Sequence, residues 1–460
     1  MADMYNTLVL FGATGDLSFR YLLPSAALLM QEGLLPDNFQ VIGLSRQDND
    51  TERFRRDAGA ELEEDRALQP QTIEQFVRRL SYAKADASDD AALKEALKGV
   101  DDPAVAYLAL PPVVYEPAIE AVARVFPEGS RIVVEKPFGE GLESAQRLNA
   151  LLHEHFPEEH AFRIDHFLGL AAVQAIPGIR FANRPFEATW NRDHIERVDI
   201  TWDEHVALEG RAGYYDGMGA LRDMVQNHLL EVLAAIAQEL PASGDRDAFR
   251  ESKCRLLNAI RPLKEEDVPQ RVVRARYGQG EINGHRVPAY VDEEGVDPGH
   301  ESETFVAMVL YVDNDRWRDV PFVIRTGKAQ GAARQEAKVT YRQGSLASRS
   351  GFESIPGSAL RIELEPPRLH FANTISTSRA LESPAAVTMS SDIPAGLPAY
   401  ARVLLEILEG GQSLSVRDDE AEQLWRIVEP VIAAWEGGEP PLLEYPAGSD
   451  GPPLDSLRIE

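Results

Sequence analysis

Short apolar runs alternate with amphipathic stretches over the first third of the chain. An apolar run at 7–11 meets a glycine-containing turn at 12–17, and apolar residues then recur at helical spacing as far as Met30. Further apolar runs lie at 40–44, 105–110 and 131–135, and helical patterns lie around 71–80, 91–98 and 114–125. Strands that alternate with helices predict a parallel, doubly wound α/β sheet of the Rossmann type.

After about residue 170 the pattern changes, because predicted strands now largely follow strands. These predicted strands lie at 196–203, 304–312, 322–325, 337–341 and 359–365. Helical patterns cover 219–239 and then close the chain at 400–408 and 418–435. We therefore predict a Rossmann-like domain over 1–170 and a larger α+β domain with an antiparallel sheet over 171–460.

Charge and cysteine content narrow the classes of partner. The 460 residues include 47 basic and 75 acidic side chains, for a formal net charge of −28. An acidic surface repels phosphate backbones and anionic lipids, so neither nucleic acid nor a membrane is an expected partner. The single cysteine, Cys254, cannot form an internal disulfide, and no metal-binding spacing surrounds it. These features predict a cytoplasmic protein without a metal site.

The glycine turn and the end of the second strand suggest a nucleotide site. Gly12 and Gly15 allow the backbone to turn tightly and to approach a pyrophosphate at the start of the next helix. Arg46 follows the second strand, where an arginine can pair with the 2′-phosphate of NADP. The alternatives are a simple helix start after a strand and a surface arginine at the start of a loop.

Three further segments carry candidate catalytic groups. Lys136 closes the fourth predicted strand, on the side where parallel sheets bind ligands. Oxidation of an alcohol by hydride transfer needs a base for the hydroxyl proton, and histidine is the usual choice. Two segments, Asp165–His166 and Asp223–His228, each contain a carboxylate and a histidine. On an α-helix Asp223 and His228 would lie about 140° apart, so we expect them to flank a ligand rather than pair side by side.

These segments resemble, in order along the chain, the glucose-6-phosphate dehydrogenase family. The matching motifs are at 12–17, 107–112, 135–139, 163–166, 209–211, 222–230 and 325–328. The resemblance extends into the closing helices at 401–435, so it covers nearly the whole chain. It implies an N-terminal dinucleotide domain, a larger β+α domain that forms homodimers or homotetramers through its sheet, and NADP as the cofactor.

The resemblance also implies a reaction and a set of residue roles. The reaction is NADP-linked oxidation of an aldohexose at C1 to the lactone, most often glucose 6-phosphate to 6-phosphogluconolactone. His228 is implied as the general base, Asp165 as its orienting carboxylate, and Lys136 as a catalytic contact to sugar and nicotinamide. Implied substrate contacts are His166, Glu204, Asp223, Lys328 and Lys136. Implied cofactor contacts are Gly12, Thr14, Gly15, Asp16, Leu17, Arg46 and Lys136.

One segment departs from the family pattern. Where the family usually reads R-I-D-H-Y-L-G-K-E and uses the His, Tyr and Lys to hold the 6-phosphate, this chain has Phe167 and Leu170. In one interpretation an arginine elsewhere, such as Arg180, Arg184 or Arg334, replaces the lost charge. In the other, the substrate is a free or otherwise 6-substituted hexose. A catalytically silent regulatory relative is a third possibility, which the retention of His228, Asp165 and Lys136 disfavours.

Overall fold

The structure is a computed structural model that describes residues 4–243, 246–345, 357–376 and 384–459. The chain forms two compact units. The first unit comprises Met1–Gly169, Asp245–Arg250 and Leu397–Glu422. The second unit comprises Leu170–Gly244, Glu251–Gly396 and Gln423–Glu460. Among the described helices, none has the length and apolarity needed to cross a membrane.

The strands of the described residues are numbered in chain order. They are β1 (Thr7–Phe11), β2 (Gln40–Ser45), β3 (Leu80–Lys84), β4 (Val105–Leu108), β5 (Arg131–Glu135), β6 (Ala161–Ile164), β7 (Ile195–Asp203), β8 (Val272–Gly278), β9 (Gly280–Ile282), β10 (His285–Val287), β11 (Phe305–Leu310), β12 (Phe322–Gly327), β13 (Arg334–Tyr341), β14 (Ala359–Glu363), β15 (Arg368–Ser376), β16 (Pro384–Asp392), β17 (Ser415–Val416) and β18 (Leu443–Pro446).

The α-helices are numbered in the same way. They are α1 (Leu23–Gln31), α2 (Thr51–Glu64), α3 (Pro70–Val77), α4 (Asp90–Ala96), α5 (Tyr115–Val125), α6 (Leu142–His155), α7 (Ala171–Phe181), α8 (Arg184–Thr189), α9 (Ala212–Tyr215), α10 (Leu230–Ala237), α11 (Arg246–Ala259), α12 (Val268–Arg271), α13 (Ala399–Glu409) and α14 (Asp418–Glu436). Two segments wind as π-helices instead, namely Ser18–Leu22 and Leu221–Leu229.

The sheet of the first unit has the strand order β17-β6-β5-β4-β1-β2-β3. All neighbours among β1 to β6 are parallel, and this part of the order is that of the Rossmann fold. Each of the five residues of β1 is buried, as expected for a central strand covered on both faces. The predicted doubly wound sheet is confirmed, and its order reverses between β1 and β4, where such sheets bind ligands.

Two strands of this sheet lacked a clear signal in the sequence. β3 falls partly inside the helical pattern predicted for 71–80, and only Leu80 and Tyr82 of its five residues are buried. β6 carries Arg163 at its centre, which is fully buried and bonds the side chains of Asn149 and Glu158. A buried, hydrogen-bonded arginine breaks the apolar run by which a covered strand is recognised.

The sheet of the second unit has the order β16-β15-β14-β13-β7-β12-β11-β8-β18. Most neighbours are antiparallel, which confirms the predicted class of sheet. Two pairs, β7 with β12 and β8 with β18, are parallel. The first of these matters for the site, because the carboxyl ends of β7 and β12 meet at one edge, with Gly327 opposite Asp203.

The closing segment Leu397–Glu422 belongs to the first unit, which differs from the predicted division into 1–170 and 171–460. β17 extends the first sheet by pairing antiparallel with β6, and α13 packs against α1. The guanidinium of Arg131 on β5 donates to the carbonyls of Ile407 and Leu408 at the end of α13. A cation at the end of a helix satisfies its free carbonyls and complements its dipole, so this long-range contact holds the segment on the first unit.

Candidate active site

The glycine turn after β1 has no room for side chains at its first position. Gly12 has a φ of +72°, and a Cβ there would overlap the carbonyl oxygen of Ala109. Its own carbonyl accepts hydrogen bonds from the Gly15 amide at 2.9 Å and from the Ser18 hydroxyl at 2.9 Å. The backbone is therefore exposed to a ligand at the start of the helix, where free N–H groups favour an anion.

A cavity of about 580 Å³ opens beside this turn in the first unit. Gly12, Thr14, Gly15 and Arg46 all line it, so four of the predicted cofactor residues come together. The cavity lies at the switch point between β1 and β4. Three other predicted cofactor residues are not part of its lining: Asp16, Leu17 and Lys136. The lining residues that sequence reasoning missed include Gln47 and Asp86, which lie in loops without a recognisable motif, and Val113, which lies in the short 3-10 helix Pro112–Val114.

The end of β2 supplies the polar part of the cavity. The Ser45 hydroxyl accepts from Thr14 at 3.1 Å and shares a hydrogen bond with the Tyr82 hydroxyl at 2.8 Å. The pKa of Asp86 is lowered chiefly by hydrogen bonds from Ser88, with a smaller contribution from the charge of Arg46. Arg46 and Asp86 line the same cavity, and Arg46 is exposed, so its guanidinium can meet an incoming phosphate.

A buried carboxyl precedes Lys136 at the end of β5. Glu135 accepts a hydrogen bond from the Tyr107 hydroxyl, and the Tyr115 hydroxyl donates to its backbone carbonyl at 2.9 Å. Burial raises the pKa of Glu135 to about 7, and the nearby charges of Asp165 and Lys136 act on it in opposite directions. The structure thus brings Lys136 and Asp165 to one region of the first unit.

His166 lies in a row of aromatic rings within the first unit. Its ring stacks on Tyr400 with centroids 5.0 Å apart and an interplanar angle of 14°, and Tyr400 contacts Tyr21 at 5.2 Å. Phe167 meets the His166 ring edge-on at 5.2 Å, and its backbone N–H donates to Asp165 at 2.9 Å. Sequence reasoning missed Tyr21 and Tyr400, because neither belongs to a motif that it singled out.

In the second unit the ends of β7 and β12 carry two predicted substrate residues. Glu204 directly follows β7 and Lys328 directly follows β12, and the Lys328 ammonium lies 2.6 Å from the Glu204 carboxylate. The Lys328 Nζ also lies 5.0 Å from the centre of the Tyr215 ring. The parallel pairing of the two strands therefore places a carboxylate and an ammonium side by side at one sheet edge.

The segment that carries Asp223 and His228 is a π-helix and not the α-helix assumed in the sequence analysis. A π-helix closes its hydrogen bonds between residues five apart, so residues at that spacing lie about one turn apart on the same side. The expected separation of about 140° is therefore wrong, and Asp223 and His228 share a face. His228 is 1% exposed, and Asp223 accepts a hydrogen bond from the Tyr214 hydroxyl at 3.4 Å.

Comparison with known families identifies the protein family to which this chain belongs. Residues 9–175 match the family model described as the glucose-6-phosphate dehydrogenase NAD binding domain, and residues 178–457 match the C-terminal domain of the same family. The chain belongs to the glucose-6-phosphate dehydrogenase family. This assignment confirms the resemblance, the two-part fold class and the prediction of a dehydrogenase with a nicotinamide cofactor.

Relatives of this family are similar over nearly their full length. A glucose-6-phosphate 1-dehydrogenase of Treponema pallidum is 40% identical and covers 97% of this chain and 92% of its own. That of Gluconobacter oxydans is 38% identical over 96% of this chain and 94% of its own. A solved structure of glucose-6-phosphate dehydrogenase in complex with its substrate glucose-6-phosphate aligns with a TM-score of 0.89 at 30% identity, covering 98% of this chain and 96% of the other.

The roles predicted for individual side chains of this glucose-6-phosphate dehydrogenase family member stay predictions. Gly12, Thr14, Gly15 and Arg46 share one cavity of the first unit. Lys136, Asp165 and His166 also belong to the first unit. Glu204, Asp223, His228 and Lys328 belong to the second unit. The pairing of Asp165 with His228 is one of these predictions.

Proposed function

We propose that this protein oxidises C1 of an aldohexose, with glucose 6-phosphate as the first candidate substrate and NADP as the oxidant. The observation that carries the proposal is the cavity at the switch point of the first sheet, where a side-chain-free turn at Gly12 and the guanidinium of Arg46 suit the pyrophosphate and 2′-phosphate of NADP. The curated relatives are named glucose-6-phosphate 1-dehydrogenase, which favours this substrate over other hexoses.

The chemistry assigns one proton step to the protein. Bound in the cavity lined by Gly12 and Arg46, oxidised NADP would supply the hydride acceptor for C1. His228 takes the proton of the C1 hydroxyl, so that the C–O bond becomes the carbonyl of the lactone. Asp165 is proposed to bond the other ring nitrogen, which selects the tautomer and stabilises the imidazolium as it forms. Lys136 is proposed to contact both the sugar and the nicotinamide side.

Sugar hydroxyls need acceptors and donors at fixed places, and the second unit offers both. Asp223 shares a face with His228, and carboxylates accept hydrogen bonds from hydroxyl groups. Glu204 and Lys328 form an ion pair at the shared edge of β7 and β12, which limits the freedom of both side chains. We propose that these three groups orient the pyranose for the base. The direct test is the reduction of NADP by the purified protein with glucose 6-phosphate, with chemical trapping of the lactone.

Arg46 is proposed to determine the choice of dinucleotide. We expect Arg46→Ala to raise the KM for NADP at least 10-fold while changing the KM for NAD little, because a charged hydrogen bond to the 2′-phosphate is worth roughly 1.5–3 kcal/mol. Steady-state kinetics with both dinucleotides measures this. Arg53→Ala is the matched control, since its guanidinium is exposed on α2 and does not line the cavity. Equal kcat/KM for NADP and NAD in the native enzyme would contradict the assignment.

A second substrate class is favoured by the segment after β6. Phe167 and Leu170 stand where the family usually has a tyrosine and a lysine, and both are buried, at 4% and 6% exposure. A dianion beside a buried leucine needs another cation or it pays a desolvation penalty. We therefore propose that the enzyme accepts a hexose whose C6 group is uncharged or less charged, as an alternative to glucose 6-phosphate.

The three arginines considered as replacements all have partners within the second unit, and they differ in how far they are buried. Arg180 is fully enclosed and donates to the carbonyls of Ala235 and Gln238, and its burial lowers the pKa to about 9. Arg334 pairs with the buried Asp203, and Arg184 pairs with Glu187 on an exposed helix. The replacement interpretation thus loses support from Arg180, whose guanidinium cannot leave its carbonyls without a buried donor being unsatisfied.

We propose that a second copy of this chain covers the outer end of the second sheet. Ile375, Val387 and Met389 are 48%, 38% and 58% exposed. Val387 and Met389 lie opposite Asn373 and Phe371, so all three apolar side chains share one face of β15 and β16. Contiguous apolar side chains on an exposed sheet face are typical of an interface between subunits.

The cytoplasm, predicted from the single cysteine, is the proposed compartment.

The proposed interface gives a simple expectation for oligomeric state. We expect Met389→Glu to convert a dimer or tetramer into smaller species, because a carboxylate would be buried without a partner. Light scattering after size-exclusion chromatography measures the mass. Thr388→Glu is the matched control, because Thr388 is exposed on the opposite face of the same strand. A native protein that is monomeric at high concentration would contradict the proposal.

A further inference from the structure

Glu303 lies outside every motif of the sequence, yet it contacts the start of the π-helix that carries Asp223 and His228. It is 4% exposed and stands two residues before β11 in the second unit. Its carboxylate accepts a hydrogen bond at 2.8 Å from the backbone N–H of Leu221, the first residue of the π-helix. A buried carboxylate at this point complements the positive end of the helix.

The backbone around Glu303 holds the same segment by further bonds. The Glu303 carbonyl accepts from the Ala220 amide at 3.0 Å and from the Tyr215 hydroxyl at 3.2 Å. The neighbouring Ser302 hydroxyl accepts from the Gly217 amide at 2.7 Å. Ser302 and Glu303 therefore accept hydrogen bonds from three backbone amides at the start of the π-helix and just before it.

Gly219 shows how closely the carboxylate is seated. Its φ is +70°, and a Cβ at this position would overlap both carboxylate oxygens of Glu303. Two features of the chain, a left-handed backbone and a missing side chain, are thus adapted to the Glu303 carboxylate. The contact is specific in position, because a side chain at 219 or a shift of the carboxylate would displace the first turn.

Burial and the neighbouring positive charges have opposite effects on the ionised form of the Glu303 carboxylate. Burial raises its pKa to about 7, whereas the Leu221 hydrogen bond and the charges of Arg222 and Arg274 act in the opposite direction. Arg274 is itself buried on β8, so the two buried charges compensate one another. The Tyr215 hydroxyl donates to the Glu303 carbonyl, and the Tyr215 ring faces the Lys328 ammonium, so the same anchor reaches a second proposed substrate residue.

We propose that Glu303 is a positioning residue for the reaction, whose carboxylate fixes the register of the π-helix so that Asp223 and His228 share one face. This inference rests on the proposed function, because it takes His228 as the base. Displacement of a catalytic group by about 1 Å from a remote change can lower the rate on the order of 100-fold. We therefore expect Glu303→Met, which keeps the length but removes the acceptor, to lower kcat by about 10- to 100-fold. Glu303→Gln retains an oxygen acceptor and should stay within about 3-fold of the native kcat.

A double-mutant cycle in kcat separates positioning from general destabilisation. If Glu303 acts through His228, Glu303→Met should have almost no further effect in a His228→Asn background, because groups that act as a unit are not additive. Glu303→Asp, which withdraws the carboxylate by one methylene, gives the same test if the methionine variant does not fold. Glu406→Met is the matched control. The Glu406 carboxylate, in the first unit, likewise accepts hydrogen bonds from backbone amides, those of Ser413 and Leu414.

The outcomes distinguish this inference from the proposed function. An equal loss of kcat in both backgrounds, or a loss from Glu406→Met as large as that from Glu303→Met, would overturn the positioning role. A native kcat in Glu303→Met and Glu303→Asp would overturn it as well. If His228→Asn alone leaves kcat unchanged, the proposed base is wrong, and this result appears before any Glu303 variant is made.

Discussion

His228→Asn is expected to lower kcat by about 100- to 10,000-fold, the usual contribution of a general base. Asparagine keeps a polar side chain at this position but cannot take the proton, so the backbone of the buried π-helix should keep its winding. The affinity for NADP should change little, because the predicted dinucleotide cavity belongs to the first unit. Pre-steady-state kinetics and dinucleotide binding by calorimetry measure the two quantities separately.

The control for this result is His194→Asn, which changes an exposed histidine of the second unit outside the proposed site. It should leave kcat near the native value. Asp165→Asn should lower kcat as well, through loss of the proposed tautomer control. A near-native kcat in His228→Asn would move the role of base to another group, with His166 the next candidate.

Leu170→Lys is expected to improve kcat/KM for glucose 6-phosphate by one to two orders of magnitude. In the native enzyme we expect either a high KM for glucose 6-phosphate or comparable activity on an unphosphorylated hexose. Each charged hydrogen bond is worth roughly 1.5–3 kcal/mol, so the two contacts replaced by Phe167 and Leu170 together correspond to a factor of 100 or more. Kinetics with glucose 6-phosphate, glucose and other 6-substituted hexoses measure both expectations.

Gln174→Lys is the control for the added charge, because it places a lysine at an exposed position one helical turn further along α7. A gain from Leu170→Lys that the control shares would reflect general attraction of the substrate anion. A micromolar KM for glucose 6-phosphate in the native enzyme, with no turnover of free glucose, would contradict the altered C6 site. The search would then turn to an arginine such as Arg334 as the phosphate ligand.

Local patterns sufficed for the features that depend on neighbouring residues. The run 7–11 and the glycines after it predicted β1 and the cavity beside it, because a buried strand, a tight turn and a helix start each leave a signature within a few positions. The motif resemblance led to the correct family for the same reason, since each motif is a short, contiguous segment. Arg46 could be placed at the cavity because it directly follows a strand that the pattern identified.

The tertiary structure decided the features that depend on distant residues. Leu397–Glu422 joins the first unit through pairing of β17 with β6, and no local pattern reports a partner some 250 positions away. The π-helical winding at Leu221–Leu229 was not visible in a sequence that also suits an α-helix. Glu303, 82 positions from Leu221, binds the start of that segment from the loop before β11. Backbone winding and burial of a carboxylate are set by packing and long-range hydrogen bonds, which outweigh local propensity by their number and by the cost of leaving buried groups unsatisfied.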